Sequence, residues 1–493
     1  MKPSNSLTKD IPLKIAGSNK FGRYPKISCE QTFNMILSDG WLVPYAGYKV
    51  VNRLITNGAG RAIYSSPRAL KMIVVIDNKV YSINSNLSES VVGLIDTYTG
   101  DVFIDENNNT QIAICDKQSI YIYDWQTGDF AKSTLPNGDP LDFKPGYITY
   151  QNGRFVSVDL STDVGANWRL SEVGNGLHFP NTSQFVGTLQ TKGDTPVAAL
   201  RVPGNGNLLF LFGKTVVEPW NDLGLQLFPY QKNTSTNIDY GCANSSTIAA
   251  KRNIVAWLGI NEKSGAAILY TMGGEVNRLS NDGIDFLFAH LRNPSNSYGF
   301  FFEQDGHLIY QISFLDPEDN FTFIYDFTTK AFFTPTDENM GAHIAKRIAF
   351  FNNKYYFVST IDGHLYEMGS NLTTYDYGDG NIKEIPRVRV CEHARLPDSS
   401  PFIGRAMTFT MEQGCDSLNI GDASYRPRVD ASLSYDGGET FSSYVPSQMN
   451  VIGKRKNRVV WNGLGQSNDL VQQFRFWGKG RFLATDGVLS VYQ

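Results

Sequence analysis

One hairpin keeps returning along this chain, and that recurrence restricts the fold more than any other feature. In Met72–Ile83 (MIVVIDNKVYSI) two alternating apolar runs flank Asp77-Asn78. Asx residues tolerate left-handed backbone, so the pair suits a tight reversal. The arrangement recurs in Gln111–Trp125, in Tyr147–Leu160 with Asn152-Gly153 at the turn, and in Leu208–Val217 with Gly213-Lys214. It recurs again in Asn253–Met272, in Gly299–Phe314 around Asp305-Gly306, and in Arg347–Val358 around Asn352-Asn353. Successive turns fall roughly 35 to 60 residues apart, near the period of a four-stranded blade with insertions. Two strand endings, Tyr123-Asp124-Trp125-Gln126-Thr127 and Tyr325-Asp326-Phe327-Thr328-Thr329, share the pattern Tyr-Asp-aromatic-x-Thr. A unit of this kind cannot bury its hydrophobic face alone, so one implies others beside it. The expectation is an all-β chain whose residues 61–370 form a β-propeller of about six or seven blades, with insertions.

The 493 residues exceed what one core usually serves, so further domains are expected. The 31 Phe and 25 Tyr favour half-buried pleated surfaces and agree with sheet. Asn371–Asn381 is polar and turn-rich, as a linker would be. Beyond it come longer alternating runs: Glu384–His393, Arg428–Tyr435, Arg458–Trp461 and Phe474–Leu483. They predict a C-terminal β-sandwich-like domain over 371–493. Residues 1–60, with Pro25 and Pro44, read as an extended N-terminal arm and a leading strand that pack on other domains or subunits. Helical spacing is confined to Ile284–Arg292 and Ser467–Gln473.

Several functional classes lack their signatures. The formal charge is −4 with no long Lys/Arg block, so an overall basic footprint for nucleic acid is missing. Cys29, Cys115, Cys242, Cys391 and Cys415 are scattered, odd in number and without CxxC spacing, which predicts reduced thiols. The polar start Met1-Lys2-Pro3-Ser4-Asn5-Ser6 does not read as a signal peptide, and no run is long and apolar enough for a membrane helix. His178, His290, His307, His343, His364 and His393 are dispersed, no GxSxG occurs, and Gly204-Asn205-Gly206-Asn207 precedes a strand instead of opening a helix. Asp316, Glu318 and Asp319, or Asp376 and Asp379, sit in acidic turns but lack the ligand alternation of a calcium loop. Neither a catalytic residue, a metal site nor a cofactor is expected.

Two local motifs remain. Ser161-x-Asp163-x-Gly165-x-x-Trp168 and Ser434-x-Asp436-x-Gly438-x-x-Phe441 resemble the Asp box of sialidases and other β-rich proteins. Its Asp and Ser side chains bond a tight turn, Gly takes the left-handed position, and the aromatic packs beneath. The resemblance implies a fold staple, since the sialidase arginine triad and Phe-Arg/Tyr-Ile-Pro motif have no match. The nearest strings are Phe21-Gly22-Arg23-Tyr24-Pro25 and Phe402-Ile403-Gly404-Arg405. A glycan-binding or glycan-cleaving propeller is the alternative these boxes suggest. Lys454, Arg455, Lys456 and Arg458 cluster before a strand. With Arg387, Arg389, Arg475 and Arg481 on the same face they could meet DNA phosphates or an acidic partner; the competing reading is an edge-strand guard.

The order of features resembles the tail hub, or nozzle, proteins of short-tailed phages, which stabilise packaged DNA. The matching pieces are Gln31-Thr32-Phe33-Asn34-Met35 and the Pro44-x-x-Gly47 turn, then Gly153-Arg154-Phe155, Trp168 and the Phe212–Glu218 strand. Ser434–Phe441, Arg458–Trp461, Gly463-Leu464-Gly465 and Phe474-Arg475-Phe476 follow in order. Spacings differ, and Leu223–Ile238 has no counterpart. The resemblance implies a structural virion protein, made in the host cytoplasm and carried in the tail. It would form a homohexameric ring below the portal and adaptor, passing packaged DNA and docking fibres or a plug. A generic interaction scaffold of a cell is the third reading.

Overall fold

The structure, a computed structural model, describes residues 8–22, 29–55, 57–161, 165–191, 193–234, 238–261, 265–272, 275–413, 428–447, 456–478 and 482–493. Asp163, Lys454, Arg455, Arg481 and Cys415, singled out above, and the side chain of Lys456 lie outside the described residues.

The hairpins form because their central strands alternate between two neighbours. In blade 1, Met72, Val74 and Ile76 share a core with Phe351, Tyr356 and Val358 of blade 7. Ile73 and Val75, on the opposite face, pack with Ile112, Ile114 and Tyr121 of blade 2. Both faces are covered, so the strand Lys71–Ile76 is apolar almost without interruption. Blade 2 repeats the logic, turning Ala113 and Cys115 toward blade 3. The turns take left-handed backbone where the sequence supplies Asx or Gly. Asn152 and Gly153 have φ of 47° and 92°, and Asp305 and Gly306 have 49° and 89°.

Seven such sheets follow in order: 60–94, 103–132, 145–188, 196–232, 241–278, 297–333, and a seventh built on 345–369. Neighbouring sheets touch around the ring. First strand meets first strand from blade 1 to blade 4 and from blade 6 to blade 7. Blade 5 joins through Gly241–Cys242 on Leu208–Gly213 and Ala249–Lys251 on Ser297–Gln304, and Ala345–Phe351 returns to Gly60–Ser66. Blade 7 closes the circle with a strand from far upstream: Gly47–Ile55 pairs antiparallel with Gly363–Gly369. Thr374–Asp376 then adds in parallel outside it and pairs with Ile382–Glu384, so the expected linker is built into the blade edge. Gly47 has no alternative here. A Cβ would stand 2.5 Å from the Leu372 carbonyl oxygen and 2.6 Å from that of Thr374.

The remaining strands make two further sheets. One runs Met35–Ser38, Trp41–Pro44, Phe482–Tyr492, Phe402–Gln413, Lys456–Ser467, with Thr8–Leu13 also on Phe482–Tyr492. The other runs Gln31–Phe33, Arg387–Val390, Val471–Trp477, Arg428–Ser434, Val445–Ser447. Met407, Phe409, Trp461 and Leu489 of the first share one core with Val429, Phe474 and Phe476 of the second. Phe409 meets Phe474 edge-on at 5.2 Å. Residues 8–55 therefore supply four strands to these sheets and one to the propeller; apart from the Met35–Ser38/Trp41–Pro44 hairpin, these pairings span hundreds of residues and leave no local signature. Ser467–Gln473, read as helical, is a strand end, a turn held by Asp469 N donating to Ser467 Oγ, and the start of Val471–Trp477. The helix expected at Ile284–Arg292 forms over Asp282–Phe288, capped by Asn281, whose side chain accepts from Ile284 N.

Asn34 stitches the propeller to these sheets. It is 1% exposed at φ 55°, a conformation Asn tolerates. Its amide Nδ2 donates to Thr336 Oγ1 and Pro386 O, and its Oδ1 accepts from Thr336 N and the Tyr375 hydroxyl. Asn34→Ala leaves these partners buried without replacement, so a loss of about 2–4 kcal/mol is expected in urea unfolding.

Candidate functional site at the propeller axis

In the Ser434 box, Ser434 Oγ donates to Asp436 Oδ1 at 2.6 Å and accepts from Gly438 N at 2.8 Å. Asp436 also accepts from Glu439 N and Thr440 N, and Gly438 stands at φ 95°. These hydrogen bonds, from Ser434 first and then Thr440, hold its carboxyl well below the usual range. Phe441 packs on Val388, Val390 and Val471 and lines a groove with Phe33 and Arg475. In the other box, Ser161 Oγ accepts from Lys144 N and Gly165 has φ 82°. Trp168 is fully buried between blades 3 and 4 against Trp220, Phe228 and Tyr230. Gly187 lies opposite, where a Cβ would strike the indole at 2.2 Å.

Among the described residues, the basic positions divide between surface and core. Arg458 is exposed on Lys456–Ser467, whose ladder partner among the described residues is Phe402–Gln413. Arg387 and Arg389 are 1% and 0% exposed. Arg389 donates to the carbonyls of Lys14, Ile15 and Ser18 and to Thr32 Oγ1, fastening the N-terminal segment. Arg387 donates to Thr373 O and Gly478 O, and burial pulls its guanidinium down to about 10. Neither can reach a phosphate, which corrects the shared-face expectation. Arg475 lies 3.7 Å from the Trp477 ring centroid.

The acidic turns are occupied by ordinary partners. Glu318 pairs with Arg292, Asp319 accepts from Arg292 N, and Asp379 pairs with Arg53. Among the described residues no three His, Cys, Asp or Glu side chains gather as a metal ion would require. Cys29, Cys115, Cys242 and Cys391 are free thiols, and burial pushes Cys115, Cys242 and Cys391 up to about 12.

One arrangement escaped the sequence because its members lie 269 residues apart. His307 Nδ1 is 2.8 Å from Asp326 Oδ2, and its Nε2 is 3.1 Å from Ser38 Oγ. The connectivity is that of a nucleophile triad. Its setting is architectural. Asp326 is also fixed by Thr328 N and Thr329 Oγ1, and at the equivalent strand ending of blade 2 Asp124 binds Thr110 Oγ1. The repeat thus ties neighbouring turns with Asp, using His in one blade and Thr in another. Neither Ser38 nor His307 lines the cavities at the axis mouth, beside Phe441 or between blades 6 and 7. Ser38 is accordingly expected to resist a fluorophosphonate probe, as mass spectrometry of the treated chain would show.

The axis itself is filled. Arg347, on the first strand of blade 7, donates to Ser246 O of blade 5 at 2.7 Å and Gly299 O of blade 6 at 3.0 Å. Its guanidinium lies 5.9 Å from the Phe103 ring of blade 2, which packs on Tyr147 of blade 3 at 4.3 Å. Asp101 pairs with Lys117 at 2.8 Å. Burial opposes its charge, but Lys117 and Arg347 outweigh that and hold it down to about 2. Side chains of blades 2, 3 and 7 and backbone carbonyls of blades 5 and 6 thus converge, leaving no duplex-wide gap at this level among the described residues.

A closed seven-bladed ring with a filled axis is a scaffold shared by many proteins. The deciding comparison is with families: the one described as Bacteriophage P22 Gp10, beta-propeller, matches residues 21–329. The chain belongs to this family. It is a phage DNA-stabilisation protein of the P22 Gp10 type. No curated protein matches it significantly. Among solved structures, it is similar to a streptogramin B lyase (14% identity, 67% of this chain and 99% of that one, TM-score 0.41). A catalytically inactive virginiamycin B lyase from Staphylococcus aureus gives 13% identity, 66% and 99% coverage, and TM-score 0.44. The N-terminal domain of Nup159 gives 10%, 66%, 95% and 0.39.

Proposed function

We propose that this Gp10-family chain is a structural subunit of the virion tail, assembled as a homohexameric ring. The ring continues the DNA channel below the portal and adaptor, retains packaged DNA, and docks fibres or a plug. The observation that carries the reading is the family match, and the filled axis sharpens it. With Arg347 and Phe103 across the centre of each propeller, DNA has to pass between subunits and not through one. Arg458 then serves as a guard on the edge of Lys456–Ser467 that has no ladder partner among the described residues, where a charge discourages unwanted strand pairing. The Asp-box residues Ser161, Gly165, Trp168, Ser434, Asp436, Gly438 and Phe441 act as fold staples. Burial of Trp168 between blades supports this, because it leaves the first box no aromatic platform for a sugar. Trp168→Ala is expected to cost about 3–5 kcal/mol in chemical denaturation. Mass photometry of the full chain, alone and with portal and adaptor, tests the ring. A species near six times the 55.0 kDa chain is expected, and a monomer under every condition contradicts it.

A further inference from the structure

The loop Gly204-Asn205-Gly206-Asn207, which opens no helix, holds one of six Asn-Gly pairs in this chain; the others begin at Asn57, Asn137, Asn152, Asn175 and Asn462. In such a pair the glycine nitrogen can close on the asparagine side-chain amide, because no Cβ hinders the approach. The fold restrains five of them. Asn152 Nδ2 donates to Asp222 Oδ2 at 2.8 Å, which fixes the amide that would react. Gly176 N, after Asn175, donates to Gln111 Oε1 at 2.8 Å, and Gly138 N, after Asn137, donates to Leu135 O at 2.9 Å. Gly58 is buried, with a Cβ position only 2.7 Å from Asp77 Oδ2, so its peptide has no room to turn. Asn462 lies inside Lys456–Ser467, in register with Ala406. Asn205 differs. All four residues of its loop are exposed. The loop is held by its carbonyls: Asn205 O accepts from Leu208 N, Gly206 O from Gln151 Nε2 at 2.7 Å, and Asn207 O from Asp222 N. Among the described residues, neither the Asn205 side-chain amide nor the Gly206 N–H makes a hydrogen bond.

We propose that Asn205 is a self-modification site, converting to aspartate and isoaspartate in the folded chain and loosening the joint between blades 3 and 4. Gly206 N gives up its proton to solvent and attacks Asn205 Cγ. The new C–N bond closes a succinimide as the bond from Cγ to Nδ2 breaks, and the side-chain nitrogen takes a proton from water and leaves as ammonia. Water then opens the ring. Addition at Cγ leaves an ordinary aspartate; addition at the main-chain carbonyl leaves the peptide running through the side chain, with an extra methylene in its path. That longer link shifts Gly206 O, the acceptor of Gln151 Nε2. Gln151 is 0% exposed and its Oε1 already has no partner, so its amide is then buried unpaired, which is costly. Gln151 ends the first strand of blade 3, and Gly206 lies in the first turn of blade 4, so the loss falls on their joint. The chemistry needs no second subunit, and ring assembly stands or falls separately.

The test incubates the full chain in mildly alkaline buffer, folded and in urea, with digestion at intervals and mass spectrometry of every Asn-Gly pair. In the folded chain Asn205 is expected to convert about fivefold or more faster than any other pair, the scale of one restraining hydrogen bond. In urea the rates should draw together. Gly206→Ala tests the attack itself. An added Cβ there meets nothing within 4 Å, so the fold is kept. The more crowded nitrogen should react about tenfold more slowly. Aged parent chain should unfold at lower urea than fresh chain, and aged Gly206→Ala should not. The ranking among pairs is read on the parent alone, whatever the variant does. The proposal is overturned if Asn205 stays intact, if another pair reacts first in the folded chain, if Gly206→Ala reacts at the parent rate, or if converted chain keeps its urea midpoint.

Discussion

Removing residues 1–58 is expected to leave a chain that does not fold. The deletion strips Gly47–Ile55 from blade 7 and four further strands from the two other sheets. It takes away Tyr48, fully buried, which stacks on Tyr375 at 4.3 Å and meets Phe357 and Tyr366 edge-on. It also opens the propeller ring, because blade 7 then ends on Gly363–Gly369 with no strand outside it. The combined loss exceeds the roughly 5–15 kcal/mol by which a domain is usually stable. Far-ultraviolet circular dichroism and gel filtration would show an unfolded or aggregated product. Two point changes give a graded version. Tyr48→Ala should cost about 3–5 kcal/mol as a large-to-small core change. Gly47→Val should be worse than Gly47→Ala, since both meet the Leu372 and Thr374 carbonyls but only Val adds branches. A folded, cooperative 59–493 fragment would refute the closure.

Acid should weaken the fold through one histidine before the carboxylates matter. His343 is fully buried among the rings of Tyr45, Tyr48, Phe357 and Tyr375, and burial pulls its imidazole from 6.5 down to about 3. A histidine whose folded value is depressed is neutral in the fold while the unfolded chain takes up a proton. Its contribution is therefore present above about 6.5 and is lost as pH falls toward 3. The loss should reach several kcal/mol by the low end of that window. His343→Gln keeps an acceptor for the Ala345 N–H and removes the titration. Urea unfolding between pH 7 and 4.5 should show a steep decline for the parent and a shallower one for the variant. Parallel curves would exclude His343 as the cause. Asp101, held to about 2 against an ordinary value of 3.8, acts only at lower pH, so the two contributions separate.

The propeller was legible because its information is local. Each blade announces itself by alternation around an Asx or Gly turn, and both faces of Lys71–Ile76 are buried, so the run is apolar enough to see. The Tyr-Asp-aromatic-x-Thr endings were visible as a repeat, but their partners were not: Thr110 and His307 are reached only by folding. The first sixty residues read as an arm because, apart from the local Met35–Ser38/Trp41–Pro44 hairpin, their strands pair with residues more than 300 positions away, as Thr8–Leu13 does with Phe482–Tyr492. Arg387 and Arg389 misled for a related reason. In alternation with Val388 and Val390 they resemble a solvated face, yet their guanidiniums are buried against backbone carbonyls supplied by other segments. Lys117 and Arg347 carry no motif at all. Lys117 and Arg347 meet at Asp101 only because the blades bring separate turns and strands to one axis.

Electron cryomicroscopy of purified virions tests the central claim most directly. The account predicts six copies of this propeller around a DNA channel in the tail, below the portal and adaptor, with DNA density between subunits and none through the Arg347 axis. Particles lacking the chain, or DNA density threading a single propeller, would contradict it.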